Sequence, residues 1–180
     1  QVRGILNDGL RPVVNMNNDF FMKAGLQPSG KYATAEDNSL KGLFYLMYAW
    51  YEHTNDSFYD HVLARTYGDD MLAAIKPSHV KTFNNNVYQR DCERLYNLDF
   101  TSASKSFELV DSLNAYDTQF LKRTPYFDTR YERTLVRLSM ESINKSMEWT
   151  IPSTSVSQIE QQISTAQSSC WEIFFWCKDE

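Results

Sequence analysis

His61-Val62-Leu63-Ala64-Arg65-Thr66-Tyr67-Gly68-Asp69-Asp70-Met71-Leu72-Ala73-Ala74-Ile75 is the stretch that decides how this chain is read. The runs on either side of Gly68-Asp69 are short, apolar or β-compatible, and end without a helix cap. Glycine then aspartate between two such runs predicts a tight hairpin, with Gly68 at the first central position of the turn. That geometry lifts two adjacent carboxylates, Asp69 and Asp70, to the tip of a rigid ribbon. Magnesium that must also hold substrate phosphates keeps few protein ligands, and paired carboxylates on a firm support suit it. Glycine and aspartate are also ordinary turn residues, so Tyr67 to Asp70 alone leaves a plain surface turn open.

Working outward, 180 residues fit one domain or one domain with an appendage. A hydrophobic fraction of 42% and an aromatic fraction of 14% are enough for a real core. No run of about 18 apolar residues occurs, so no membrane-spanning helix is expected. The chain opens at Gln1 with neither methionine nor a signal peptide and stops at Glu180, as expected of a piece of a longer protein.

Cys92, Cys170 and Cys177 suggest neither a disulfide framework nor a zinc site, which fits a reducing, intracellular setting. On a helix Cys170 and Cys177 lie roughly 10 Å apart along the axis, too far to bridge. His53, His61 and His79 have no cysteine or paired carboxylate at ligand spacing and read as structural or solvated. The net charge of −5 counts against a simple electrostatic nucleic-acid binder. It leaves room for an enzyme whose basic surface lies elsewhere.

Val13, Val14 and Met16, then Phe20 to Met22, flank Asn17-Asn18-Asp19 and predict a first hairpin. From Thr34 to Glu52 the period changes: Leu40, Leu43, Phe44, Met47 and Tyr51 fall at helical spacing and predict an amphipathic helix with a buried face. Pro77 suits the first turn of a second helix, with Val80, Phe83, Val87 and Leu95 on its apolar side and Asn97 ending it. A short strand is expected near Leu98 to Thr101, and extended segments either side of Phe120 to Arg123. Tyr131 to Trp149 reads as mostly helical. A last helix, capped by Ser155 or Ser157, carries the stripe Ile159, Ile163, Ala166, Cys170 and Phe174, read as core-facing.

Upstream of the hairpin stands Ser29-Gly30-Lys31-Tyr32-Ala33-Thr34-Ala35-Glu36-Asp37-Asn38-Ser39. A glycine loop feeds straight into the amphipathic helix, and Thr34 and Asn38 are four apart on one face. Free N–H groups at a helix start suit phosphate and ribose ligands. Neutral Thr and Asn can bond a sugar hydroxyl without adding charge beside magnesium.

Taken in order, Ser-Gly, Thr, Asn-Ser, a helix and Tyr-Gly-Asp-Asp on a hairpin resemble motifs B and C of viral RNA-dependent RNA polymerases. Thr101-Ser102-Ala103-Ser104-Lys105-Ser106 looks like motif D with its lysine. Phe120-Leu121-Lys122-Arg123 matches motif E of the picornavirus-like group. Met140-Glu141-Ser142-Ile143 to Glu148-Trp149 is similar to the start of that group's thumb. The resemblance covers residues from about 20 to 180.

The resemblance implies an RNA-directed RNA polymerase that replicates a viral genome with two magnesium ions, manganese being a substitute. Asp69 and Asp70 would be the catalytic metal ligands. Ser29 and Gly30 would form a mobile nucleotide loop, and Asn38 with Thr34 would sense the ribose 2′-hydroxyl. Lys105 would protonate the leaving pyrophosphate. Tyr67 and Gly68 would lie against the primer, and Lys122 and Arg123 would support it. Implied partners are template and primer RNA, nucleoside triphosphates, a protein primer and other replication proteins. The implied location is the host cytoplasm, at replication complexes reached through partners.

The expected fold is α+β: a right-hand palm, with an antiparallel sheet backed by helices at 34–52 and 77–96, followed by a mostly helical thumb. Expected boundaries are 1–28 for a fingers–palm connection, 29–127 for the palm and 128–180 for a partial thumb, with most of the fingers absent. One departure stands out. Motif A supplies another metal-binding aspartate upstream of motif B; Asp8 and Asp19 lie in the wrong context, and Asp56 to Asp60 follow the glycine loop. The piece alone is therefore expected not to polymerise. The alternatives are a palm-like module that binds RNA or a partner without catalysis, and a reverse transcriptase, whose motif B lacks the Ser-Gly, Thr and Asn arrangement.

Overall fold

The computed structural model of the protein describes residues 11–22 and 33–177. The chain forms two compact units, the first reaching to Phe83 and the second starting at Asn84.

The first unit opens with strands β1 (Val13–Met16) and β2 (Asp19–Met22), antiparallel, with Val13 opposite Met22. Asn17 and Asn18 turn the corner, both left-handed at φ 55° and 71°. Asparagine tolerates that region, and the pair makes the two-residue turn whose twist suits a hairpin. Helix α1 (Thr34–His53) follows, then the single turn α2 (Phe58–His61) and strands β3 (Val62–Tyr67) and β4 (Asp70–Ile75).

Helix α1 forms where the periodicity places it, but the face it buries is rotated from the expected one. Leu46, Ala49 and Trp50 are buried, whereas Leu40, Phe44 and Tyr51 are exposed. The inward stripe runs Ser39, Gly42, Leu46 and then Ala49 and Trp50, three and four residues beyond Leu46. Small residues at its start let the helix lie close to the hairpin: a Cβ on Gly42 would sit 4.0 Å from Thr66 Cγ2. Trp50 anchors the other end, edge-on to Phe58 at 6.3 Å and to Phe83 at 5.5 Å between ring centres. Its Nε1–H donates to the Asp56 carbonyl at 2.8 Å. Burying one tryptophan so fully contributes several kcal/mol on the order of the largest single core side chains.

Pro77 does not open the second helix. Residues 77–82 form successive turns, held by His79 N–H to the Lys76 carbonyl and Phe83 N–H to the His79 carbonyl, at 2.9 and 2.8 Å. The physical reason is His79, which is drawn under Trp50 at 5.1 Å and into a 2.8 Å bond with Asp56. His61 and His79, read from sequence as structural or solvated, have ring centres 4.4 Å apart.

In the second unit helix α3 (Asn85–Asp91) starts where Asn84 Oδ1 accepts from the Val87 N–H at 3.1 Å. It passes into a π-helical turn (Cys92–Tyr96) that Asn97 ends at φ 52°. The strand expected near Leu98 to Thr101 is a loop instead: Gln89 Nε2 donates to the Phe100 and Phe107 carbonyls at 2.8 and 3.0 Å, and Phe100 packs on Tyr88. A 3₁₀ turn (Ala115–Asp117) precedes strands β5 (Arg123–Asp128) and β6 (Arg133–Leu138).

The helix expected from Tyr131 starts only at Met140, because Arg133 to Leu138 pairs along all of β5. Ser139 then caps α4 (Met140–Glu148), and Ser157 with Glu160 forms a capping box on α5 (Gln158–Phe174). Helix α5 also turns an unexpected face inward. Ser169 is buried, while Ile159, Ile163, Cys170 and Phe174 of the stripe read as core-facing are exposed. Polar and terminal groups fix the orientation: Glu172 pairs with Arg123, and Trp176 Nε1–H donates to the Leu138 carbonyl at 2.9 Å. Arg137 lies between rings, 4.0 Å from the centre of Trp176 and 5.1 Å from that of Tyr126.

The fold is thus α+β as expected, with antiparallel pairing throughout and helices dominating after residue 138. Among the described residues the strands pair as three two-stranded antiparallel sheets rather than one continuous sheet.

Candidate active site

The β3–β4 hairpin pairs Val62 with Ile75 through to Tyr67 with Asp70, leaving Gly68-Asp69 as a two-residue loop. Gly68 takes φ 61° and Asp69 keeps a negative φ, which is the type II′ pattern with glycine first. Alternation assigns the faces. Val62, Ala64 and Thr66 turn towards α1, and Leu63, Arg65 and Tyr67 face outward. Asp70, opposite Tyr67, shares that outward face.

Asp69 and Asp70 are both exposed, and no other described residue engages either carboxylate. Two consecutive carboxylates without a partner among the described residues are a hard, oxygen-donor set. That chemistry fits magnesium, which binds through one or two carboxylates and retains other positions for phosphate oxygens.

The tip is held from below. Gly68 N–H donates to Ser39 Oγ at 2.8 Å, and Ser39 Oγ–H donates to the Ala35 carbonyl of its own helix at 2.6 Å. One hydroxyl therefore ties the second turn of α1 to the turn that carries the carboxylates. Sequence reasoning gave Ser39 no role, because the stripe that carries it inward is not the one the apolar spacing marks.

Thr34 and Asn38 occupy the first turns of α1 and are half-buried. Ala33 precedes them in the left-handed region at φ 59°, and its carbonyl accepts from the Asp37 N–H at 2.9 Å. A non-glycine residue there costs about 1–2 kcal/mol, so the helix start carries stored strain. Ser29 and Gly30 lie outside the described residues.

Lys105, Lys122 and Arg123 belong to the second unit. Lys105 sits at φ 62° in a tight turn closed by Lys105 N–H to the Ser102 carbonyl and Ser102 N–H to the Ser106 carbonyl, both 2.9 Å, and its side chain is exposed. Leu121 and Lys122 are both left-handed, at φ 53° and 61°, between Phe120 and Arg123, whose backbones exchange bonds of 3.0 and 2.9 Å. Lys122 is exposed. Arg123 makes a two-pronged pair with Glu172 at 3.0 and 2.5 Å, which raises its pKa through the hydrogen bonds to that carboxylate.

A family model for viral RNA-dependent RNA polymerases matches residues 9–174. No curated protein matches the chain. Among solved structures, a Sicinivirus 3Dpol RNA-dependent RNA polymerase superposes with a TM-score of 0.71 at 22% identity, over 94% of this chain and 38% of that one. At that identity the likeness is one of fold, and the chain spans under two fifths of the polymerase it matches.

Proposed function

The chain belongs to the viral RNA-dependent RNA polymerase family, and from that premise we propose that it forms the palm and part of the thumb of an enzyme that copies viral RNA. The observation that carries the proposal is the pair Asp69-Asp70, adjacent and without a partner among the described residues, on a II′ turn that Ser39 braces. The reaction is in-line attack of a primer 3′-hydroxyl on the α-phosphate of a ribonucleoside triphosphate, releasing pyrophosphate.

Asp69 and Asp70 would hold magnesium, or manganese in its place, and the bound ions would supply charge stabilisation at the attacking and leaving oxygens. The other residues position and neutralise. Ser29 and Gly30 adjust to template and nucleotide, and Asn38 with Thr34 bonds the ribose 2′-hydroxyl. The Lys105 ammonium gives its proton to the leaving pyrophosphate oxygen, an exchange its exposed position permits. Tyr67, on the outward face beside Asp70, and the Gly68 backbone lie along the primer end. Lys122 supports the primer phosphates, and Arg123 joins it while clamping α5 through Glu172. Template and primer RNA, nucleoside triphosphates, a protein primer and other replication proteins are the proposed partners, met in the host cytoplasm at replication complexes.

Primer extension on an RNA template with ribonucleotides and magnesium tests this, comparing the complete polymerase that carries this chain with its Asp69→Asn variant. Extension lost only in the variant supports the assignment. Equal extension in both, or none from well-folded wild type, leaves a palm-shaped module without catalysis. The 180-residue chain alone is proposed to be inactive, and template-directed synthesis by it would overturn that part.

A further inference from the structure

At the foot of the β3–β4 hairpin, far along the strands from Gly68, three potential ligands converge. Asp56 comes from the loop after α1, His61 from the residue before β3, and His79 from the turns after β4. One ligand atom from each lies within 4.8 Å of the others. We propose that Asp56, His61 and His79 bind a first-row divalent cation, zinc being the one their chemistry suits best.

The His61 tautomer is arranged for it. His61 Nδ1 is 2.9 Å from the Ser57 carbonyl, which can only accept, so Nδ1 carries the proton and Nε2 the lone pair. His79 Nδ1 is 2.8 Å from Ser78 Oγ, a hydroxyl that can donate to the bare nitrogen or accept from its N–H. Metal-binding imidazoles have this outer bond, which fixes the ring and raises its basicity. His79 Nε2 meets Asp56 Oδ2 at 2.8 Å, so a proton occupies the line a cation would take. On binding, the ring would take the tautomer with Nδ1–H donating to Ser78 Oγ, the Nε2 proton exchanging through solvent and leaving Nε2 to the cation.

The carboxylate is poised as well: its hydrogen bond to His79 holds the Asp56 pKa below the ordinary value, so it is ionised at neutral pH. Trp50 roofs the cluster, with its ring stacked on His61 at 6.1 Å and tilted over His79 at 5.1 Å, and its Nε1–H fixing the Asp56 backbone. Two imidazoles and one carboxylate exclude magnesium as the preferred ion and favour zinc over it. Tetrahedral bonds of about 2.0–2.1 Å place ligands about 3.3 Å apart, a closure that side-chain torsions supply, with water as the fourth ligand. Bound there, the ion staples three segments that the sequence separates by 5 and 18 residues. It would stiffen the hairpin from the end opposite Ser39. This site is separate from Asp69 and Asp70, and its existence does not depend on polymerase activity.

Cobalt(II) titration of the full 180-residue chain tests the site, read by the visible absorption of tetrahedral cobalt. One equivalent should saturate the band, zinc should displace it, and binding should weaken as pH falls because the imidazoles must lose protons. His79→Gln keeps an amide donor for Asp56 while removing the imidazole, and His61→Gln likewise keeps a polar partner for Ser57. Each should weaken binding by at least about tenfold, whereas His53→Gln should not. Circular dichroism establishes that each variant is folded. Should a variant unfold, the wild-type melting temperature provides the second reading: it should rise with zinc and fall back with a chelator. No tetrahedral band, or a band kept by both folded variants, or a melting temperature unmoved by zinc, overturns the proposal and leaves an aspartate–histidine pair beneath a tryptophan.

Discussion

Ser39 Oγ accepts the Gly68 N–H at 2.8 Å across 29 residues of sequence. The first central residue of a two-residue hairpin has no ladder partner for its N–H, so the bond satisfies a donor that the strands cannot. Ser39→Ala should lower stability by about 1 kcal/mol, the usual effect of losing one such bond. Amide exchange at Gly68 should accelerate more than exchange in the middle of β3. Protection of Gly68 that is unchanged in the variant would show that the turn holds itself.

Asp69 and Asp70 are exposed and pair with no other described residue, so their replacement should separate function from folding. Asp69→Asn and Asp70→Asn should each change stability by no more than about 0.5 kcal/mol. Chemical denaturation of the chain checks this. A large loss would mean that the carboxylates hold structure, and activity losses in the complete polymerase would then need rereading.

Lys122 combines a left-handed backbone with an exposed ammonium. Lys122→Gly removes a penalty of about 1 kcal/mol, offset in part by glycine's freer unfolded state. Melting temperature should therefore hold or rise while RNA affinity falls. Greater stability with undiminished RNA binding would assign the strained pair Leu121-Lys122 to neither strand support nor recognition.

Asp128 is buried and bonded to Arg130 by its side chain and backbone, which brings its pKa down from 3.8 to about 2. A depressed carboxylate contributes its stability fully above the unfolded value and loses it as pH falls through the folded one. Acid titration of the chain should show a loss of stability beginning below about pH 4 and continuing towards pH 2. Asp128→Asn should flatten that slope while lowering stability at neutral pH. An unaltered slope would place the acid-sensitive group elsewhere.

Local signals in the sequence were reliable where one residue type dictates the backbone. Gly68, the Asn17-Asn18 pair and the run of α1 belong to this group. Faces and distant meetings were less legible. The apolar residues of α1 and α5 are numerous enough to define more than one stripe, and packing by Trp50 and by Trp176 selected which stripe turns inward. Arg133 to Leu138 reads as helix by its surroundings but alternates when it finds β5. Ser39 with Gly68, and Asp56 with His61 and His79, lie at separations that no periodicity encodes, so only the folded chain brings them together. Among the residues put forward for catalysis, the hairpin pair and Thr34 and Asn38 share the first unit, and Lys105, Lys122 and Arg123 the second.

Trp50 is the sole indole before residue 84, and it is fully buried, whereas Trp149 and Trp171 are 71% and 77% exposed. With Trp149, Trp171 and Trp176 replaced by phenylalanine, the emission of Trp50 alone would report the first unit: blue while its ring stays dry, red once water reaches it. The fluorophore that packs α1 against Phe58 and Phe83 is thus also a built-in gauge of when that half of the protein melts.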